Sequence, residues 1–531
     1  MRIRFNTIVL AAACLAASVL ASCTGGLKGP ASSDDEIGSK LANRYIIVDS
    51  KFEKYGFIDG NGQVVIPTQY DDANVFRNGL ARVKMGDKYG FINTKGEFVV
   101  SPIYEDAANF SEGMAAVSMD DEHYGYVDLK GNMVITPIYD YAFQFSDGVA
   151  LVRMGNNYMY IDKKGKVVIT PMGGGDWDYN NFKKGLARVG VNDKYGFVDK
   201  TFKFVVNPMY DNAHDFCEDM AAVEMNDRWG FIDTKGKLVI LTQYEWVGDF
   251  HEGLAAFKVG DKYGFLDKKG NIVVTPQYEE VGFFRGGIAP VQTGEKIGFI
   301  DKSGNFTIPP QYDNRLVSDG DIVFVMSRSS DGESDTYSYI NKNGNSVWSV
   351  VRKYFSYNTG FEASDDCSWT LVNGSEANKW YIGSATANSG QRSLYISNSG
   401  GRGNDYNGSA VSTVYAYQTF TLKAGSYECS FNWRAYGESS FDFMRVSLVP
   451  DNVDFTAGQM GPYSSSYTPS DWIDIDNNYR MNGVTDWTTR SRSFYVSEDG
   501  TYKLVFMWHN DGSITHLPPA AVDNVMIKEN H

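Results

Sequence analysis

A short phrase, Lys-Tyr-Gly-Phe-Ile-Asp or a near variant, occurs nine times at intervals of about 34 residues over the first two thirds of the chain. Its central position falls at Gly56, Gly90, Gly125, Met159, Gly196, Gly230, Gly264, Gly298 and Ser338. A fixed period of this length means stacked copies of one small unit, none of which can bury its apolar side chains alone. It favours a scaffold or a binding surface over a single catalytic pocket.

The copy from Lys262 to Glu295 shows how the unit is built. Tyr263-Gly264-Phe265-Leu266-Asp267 reads as a short strand, and Asp267-Lys268-Lys269-Gly270 has the residues of a type I turn. Ile272-Val273-Val274-Thr275 is a second strand, stopped by Pro276, and Ile288-Ala289-Pro290-Val291 a third. A tyrosine stands after the second strand in most copies (Tyr70, Tyr104, Tyr139, Tyr210, Tyr244, Tyr278, Tyr312). A phenylalanine follows six residues later in six of them (Phe76, Phe110, Phe145, Phe216, Phe250, Phe284). A helical repeat is excluded, because a turn signal breaks every copy and no long stretch keeps helical spacing.

The pattern Tyr-Gly-Phe-Ile-Asp…Lys-Gly…Pro-x-Tyr…Phe…Gly-Leu-Ala resembles the WG-repeat family of bacterial proteins over residues 45–350. The name-giving Trp-Gly is literal only at Trp229-Gly230. The resemblance implies a β-rich repeat scaffold, used in the envelope or outside the cell in many members, and no defined chemistry. The unit, at about 34 residues and three strands, falls short of a usual propeller blade of roughly 40–45 residues and four strands. An open, solenoid-like array is therefore favoured, with a propeller-like ring as the alternative.

Two copies depart from the pattern. The fourth has Met159 for glycine, loses the tyrosine, and carries extra residues in Met172-Gly173-Gly174-Gly175-Asp176-Trp177-Asp178-Tyr179. Insertions in repeat arrays form loops on one face, so Trp177 and Tyr179 are candidates for a sugar-stacking platform. The alternative is that they fold back into the place of the missing tyrosine. The ninth copy, around Tyr337-Ser338-Tyr339, is degenerate and reads as a terminal cap.

The N-terminus reads as a processing segment. Arg2 and Arg4 precede an apolar stretch from Ile8 to Ala21, which ends Leu20-Ala21-Ser22-Cys23. This looks like a bacterial lipobox, with residues 1–22 as signal peptide and Cys23 as the lipidated residue; a plain secretory signal with a chance cysteine is the alternative. Acyl chains, at about 0.8 kcal/mol per buried CH₂, would anchor the chain. Residues 23–44 are polar and aperiodic, a flexible tether. The implied location is the cell envelope, lipid-anchored at the outer membrane. Of the remaining cysteines, Cys217 reads as a buried small hydrophobe, and Cys367 and Cys429 as either a bridge or two core thiols.

From residue 351 the period stops, and Ser, Asn, Gly and Trp increase. Alternating segments such as Tyr427–Arg434 and Tyr502–His509 predict a two-sheet jelly roll over 351–531. Gly360-Phe361-Glu362 with Trp369, and the closing Ala521–Ile527, resemble choice-of-anchor and cleaved-adhesin jelly rolls, relatives of carbohydrate-binding modules. That resemblance implies a structural Ca²⁺ held by Glu362 and Asp523, oxygen ligands that suit a hard cation. It also makes Trp380, Tyr381, Tyr406, Tyr436, Trp472 and Trp487 candidates for sugar contact, with core packing as the competing role.

The expected fold is therefore all-β, a repeat array followed by a β-sandwich. A net charge of −16 argues against nucleic acid as a partner. None of the six histidines has metal-ligand spacing or sits in a nucleophile motif. The aspartate after each phrase recurs with the turn and reads as a turn former. The expectation is a non-catalytic envelope protein that binds glycans or surface proteins, with a structural spacer or interaction platform second and a glycoside-active enzyme third.

Overall fold

The computed structural model describes residues 44–171, 178–319, 322–365, 368–437, 441–461, 472–477, 480–513 and 516–530. They form strands and no helix, and no helix among them is long and apolar enough to cross a membrane. The chain divides into two units, Met1–Arg352 and Lys353–His531.

The first unit contains nine small antiparallel sheets among the described residues, the first of three strands and the others of four. The turn inside each hairpin is set by its aspartate or asparagine. Asp267 Oδ1 accepts the N–H groups of Lys269 and Asn271, each at 2.9 Å. Its carbonyl accepts from Gly270 N, also at 2.9 Å, and Gly270 takes a φ of +84°. The same side-chain pattern recurs at Asp59, Asp128, Asp233 and Asp301. A carboxylate that satisfies two turn amides is a folding device.

The sheets do not coincide with the sequence copies. The third strand of the Lys262 copy, Ile288–Thr293, pairs with the hairpin strand of the next copy, Lys296–Asp301. A strand of only two residues, Glu280–Val281, completes that sheet. Each copy thus bridges two sheets, and the fourth strand is too short for periodicity to reveal. Aromatic pairs mark the junctions. Phe57–Phe76, Phe91–Phe110, Phe197–Phe216, Phe231–Phe250 and Phe265–Phe284 meet at 4.7–4.9 Å, tilted or edge to face. Such pairs add roughly 0.5–1.5 kcal/mol each beyond area burial. Small polar groups add a further tie: Ser111 Oγ donates to Phe145 O at 2.7 Å, Ser146 Oγ to Phe182 O at 2.6 Å, and Cys217 Sγ to Phe250 O at 3.1 Å. Cys217 is buried as expected, and is also a weak donor.

The fourth copy explains itself. At Gly264 an added Cβ would lie 2.4 Å from the carbonyl oxygen of Val274 on the partner strand, closer than any real contact. Where Met159 stands instead, the partner strand shrinks from seven residues to three, Val167–Ile169. Phe182, displaced by the insertion, still meets Tyr160 at 5.0 Å.

The array closes on itself. Tyr45, Ile46, Tyr55 and Phe57 of the first sheet share one buried cluster with Ile322, Phe324, Tyr337 and Tyr339 of the ninth. Tyr339 Oη donates to Ile46 O at 2.8 Å, and its ring lies 5.7 Å from that of Tyr45. The open arrangement favoured by unit length is corrected by this contact between first and ninth sheets: the propeller-like alternative holds, and a further short strand, of two residues in six of the sheets, brings every sheet but the first to the four strands of a blade.

The second unit is a two-sheet β-sandwich. One sheet runs Lys379–Gly383, Ser393–Ser397, Ala521–Glu529, Gly425–Ala435, Val484–Val496, with Ser356–Thr359 also paired to Ala521–Glu529. The other runs Thr370–Val372, Ser412–Leu422, Gly500–Asn510, Phe443–Pro450, Ile473–Asp474. Between them lies a single aromatic-rich core that includes Trp369, Trp380, Phe431, Trp433, Phe506 and Trp508.

Candidate functional site

Three of the six aromatic candidates belong to packing. Trp380 is fully buried and donates Nε1–H to Val414 O at 3.2 Å. Tyr406 is buried and donates to Asp442 Oδ2 at 2.7 Å. Trp472 is buried against Phe455. Trp177 lies outside the described residues, as does the side chain of Tyr179, whose backbone pairs with Val189. Cys367 is also outside them; Cys429 is a free thiol in the core.

Trp487 is different. It stands on Val484–Val496, the edge strand of the first sheet. Alternation along that strand puts Phe494 and Val496 into the core, so Trp487, Thr489, Ser491, Ser493 and Tyr495 point outward. Thr489, Ser491 and Ser493 are exposed, Trp487 is half-buried, and Tyr495 is 53% exposed. The outcome is a straight row of hydroxyls between two aromatic rings, about 26 Å long at roughly 3.3 Å per residue.

Polar side chains from the neighbouring strands extend this row inward. Ser389 Oγ donates to Asn524 Oδ1 at 3.0 Å, Asn524 Nδ2 to Asn432 Oδ1 at 2.8 Å, and Asn432 Nδ2 to Thr489 Oγ1 at 2.8 Å. Beside this chain, the Arg434 guanidinium lies 5.2 Å from the centre of the Trp487 ring. Ser491 Oγ donates to Glu428 Oε1 at 2.5 Å. Among the described residues no strand of the sheet lies beyond Trp487, so the sheet does not cover the ring's outer side. Tyr495 is the residue that sequence reasoning missed. The signal was present, because apolar Phe494 and Val496 set the parity of the strand and leave Tyr495 on the solvent side.

Glu362 and Asp523 hold the same loop, and both do so by accepting backbone N–H groups. Glu362 Oε1 accepts from Gln391 N at 2.8 Å and Arg392 N at 3.1 Å. Asp523 Oδ2 accepts from Asn388 N at 2.8 Å and Ser389 N at 3.0 Å. Burial, joined by the charge of Glu362, raises the Asp523 carboxyl above its ordinary range against these donors. Among the described residues, no three His, Cys, Asp or Glu side chains form a group that could hold a metal ion.

Comparison with known proteins bears first on the array. Residues 55–89, 89–122, 124–158, 158–172, 195–229, 229–263, 263–296 and 297–314 match the WG containing repeat. Eight WG containing repeats are found in the array. The degenerate ninth copy is outside the matched ranges. No curated protein matches the chain in sequence. Similar solved structures include the CBM22-1 xylan-binding domain of Paenibacillus barcinonensis Xyn10C, 12% identical over 33% of this chain and 92% of its own, with a TM-score of 0.22. The C-terminal family 22 carbohydrate binding module of Clostridium thermocellum Xyn10B is 16% identical over 33% of this chain and 94% of its own, with a TM-score of 0.22. The K1 cleaved adhesin domain of Lys-gingipain from Porphyromonas gingivalis is 15% identical over 33% and 99%, with a TM-score of 0.20.

Proposed function

We propose that this protein is a non-catalytic, envelope-anchored binder of extended glycans, tethered through Cys23 and contacting its ligand along the Trp487–Tyr495 edge strand. The observation that supports the reading is the outward row on that strand. Aromatic rings offer flat apolar faces to the C–H side of a sugar. Hydroxyl and amide groups donate and accept at once, as sugar hydroxyls do. A straight row suits a polymer better than a single sugar. Structural Ca²⁺ near Glu362 and Asp523 belongs to the same proposal: a cation would offset the repulsion between the two carboxylates and steady the 388–392 loop beside the row.

The test is polysaccharide binding by the full mature chain, made soluble by Cys23→Ser. Trp487→Ala and Tyr495→Ala should each weaken binding about tenfold, as loss of one aromatic anchor does. Equal binding by wild type and both variants would remove the row from the site. Release of reducing ends from a bound polymer would make the protein an enzyme instead. Membrane partitioning of a Cys23→Ala chain identical to wild type would end the lipid-anchor reading.

A second reading, a protein-interaction platform, has one observation in its favour. At the residue before the repeated tyrosine, four copies carry glutamine (Gln69, Gln243, Gln277, Gln311). Three others carry exposed apolar side chains, Ile103 at 45%, Ile138 at 47% and Met209 at 50%. An apolar arc on some blades of a ring suits a protein surface. Replacing all three by glutamine should abolish capture of an envelope protein while glycan binding persists.

A further inference from the structure

The two ends of the ring differ in chemistry. In the second sheet, Leu80–Met85 and Lys88–Asn93 form a tight hairpin whose tip is closed by the pair Met85 and Lys88. The last strand of the sheet finishes beside that tip, because Tyr104 pairs with Tyr89. The aspartate turn lies at the opposite end of the same strands. Successive sheets stack in one orientation: an added Cβ at the turn glycines Gly96, Gly165 and Gly270 would touch Ile66, Ile135 and Ile240 of the preceding sheet. Gly62 of the first sheet meets Val347 of the ninth in the same way. All hairpin tips therefore gather at one end of the ring and all aspartate turns at the other. The turn end carries exposed lysines, such as Lys164, Lys166, Lys235 and Lys237.

The tip end is apolar and acidic. Met85, Met119 and Met154 are exposed on the tips of sheets two, three and four, and Ile103, Ile138 and Met209 are exposed beside the tips of sheets two, three and five. These side chains form a crescent over four adjacent sheets. The cations of the tips are used within their own sheets: Lys88 pairs with Glu105, Lys194 with Asp211, and Lys262 with Glu279. Each of these tips adds a second, exposed carboxylate, Asp87, Asp193 and Asp261, and the tip of sheet three adds Glu122. Among the described residues no cation lies within ion-pair distance of these four. We propose that the crescent docks a basic amphipathic segment of a partner protein, with large apolar side chains on one face and lysine or arginine flanking them. This rests on the platform reading and names the partner's chemistry. Methionine is unbranched and polarizable, and adapts to the apolar face of such a segment. A neutral apolar partner would desolvate Asp87, Glu122 and Asp193 without compensation, whereas flanking cations answer them and are steered in by the net charge of −16.

The experiment measures three synthetic peptides of about five helical turns against the full mature chain, made soluble by Cys23→Ser, by fluorescence anisotropy. One peptide has leucine on one face and lysine on the other, the second is its scrambled sequence, and the third replaces lysine by glutamate. The leucine–lysine peptide should bind at least about tenfold tighter than either of the others, the worth of a matched apolar face. Replacing Ile103, Ile138 and Met209 together by glutamine should remove that preference. Asp87→Asn, Glu122→Gln and Asp193→Asn combined should weaken binding about tenfold and flatten its dependence on salt, as loss of three exposed pairs does. Asp227→Asn with Asp261→Asn, outside the crescent, should leave binding unchanged. All of these side chains are exposed, so the variants keep the fold. Equal binding of the scrambled peptide, or a preference that survives the glutamine triple, overturns the proposal in favour of plain attraction of a polycation. Equal binding of the leucine–glutamate peptide overturns the basic assignment and leaves an apolar platform. If no peptide binds, the proposal fails; capture of an envelope protein that is still lost in the glutamine triple then keeps the platform reading, and capture that is absent or unaltered removes both.

Discussion

The glycine at the centre of each repeated phrase is a steric requirement. In seven copies an added Cβ would sit 2.3–2.7 Å from a carbonyl oxygen of the partner strand. Gly264→Ala should therefore destabilise the array by about 1–3 kcal/mol, the usual range for overpacking, measurable as a lowered midpoint in urea. Asp523 makes a prediction of opposite sign. Its carboxyl titrates above the ordinary 3.8 in the folded state, through burial first and the charge of Glu362 last. The stability this group contributes is then complete below 3.8 and lost as pH rises through the folded value. At neutral pH without metal, Asp523→Asn should raise the sandwich's melting temperature, by about 2–4 °C for each kcal/mol of relief. If Ca²⁺ occupies the site, the sign reverses, and a chelator lowers the wild-type midpoint. Scanning calorimetry of both chains with calcium and with chelator separates the two outcomes.

At the scale of elements, most junctions between sheets carry a pair of rings contributed by one sequence copy. Phe284, 1% exposed, meets Phe265 across such a junction. Phe284→Ala should destabilise by about 3–5 kcal/mol, and hydrogen exchange should rise in the sheets on both sides of it. The hairpins were legible in the sequence because Asp, Gly and Pro mark them within a few residues. The two-residue strand was not, since Glu280–Val281 has no period of its own and exists only because Ile288–Thr293 lies beside it. The sandwich's edge strand was half legible: Trp487 stood out by composition, whereas Tyr495 needed the knowledge that Phe494 faces the core.

At the scale of the molecule, the ring of the first unit is closed by side-chain packing between its first and ninth sheets, where Tyr339 donates to the carbonyl oxygen of Ile46.

 Tyr339→Phe removes one hydrogen bond and should lower array stability by about 1 kcal/mol. Tyr339→Ala also empties a shared cluster and should expose the first sheet to proteolysis well before the middle of the array, which limited digestion would reveal. The sequence by itself determined the unit, its turns, the all-β class and the alternation of the sandwich strands, because these depend on neighbours a few residues away. Only the tertiary structure decided that the array closes, that each copy is shared between two sheets, and that Arg434 meets Trp487 beside a row of hydroxyls. Those facts depend on contacts between residues tens to hundreds of positions apart, and no local pattern encodes which distant surfaces exclude water together.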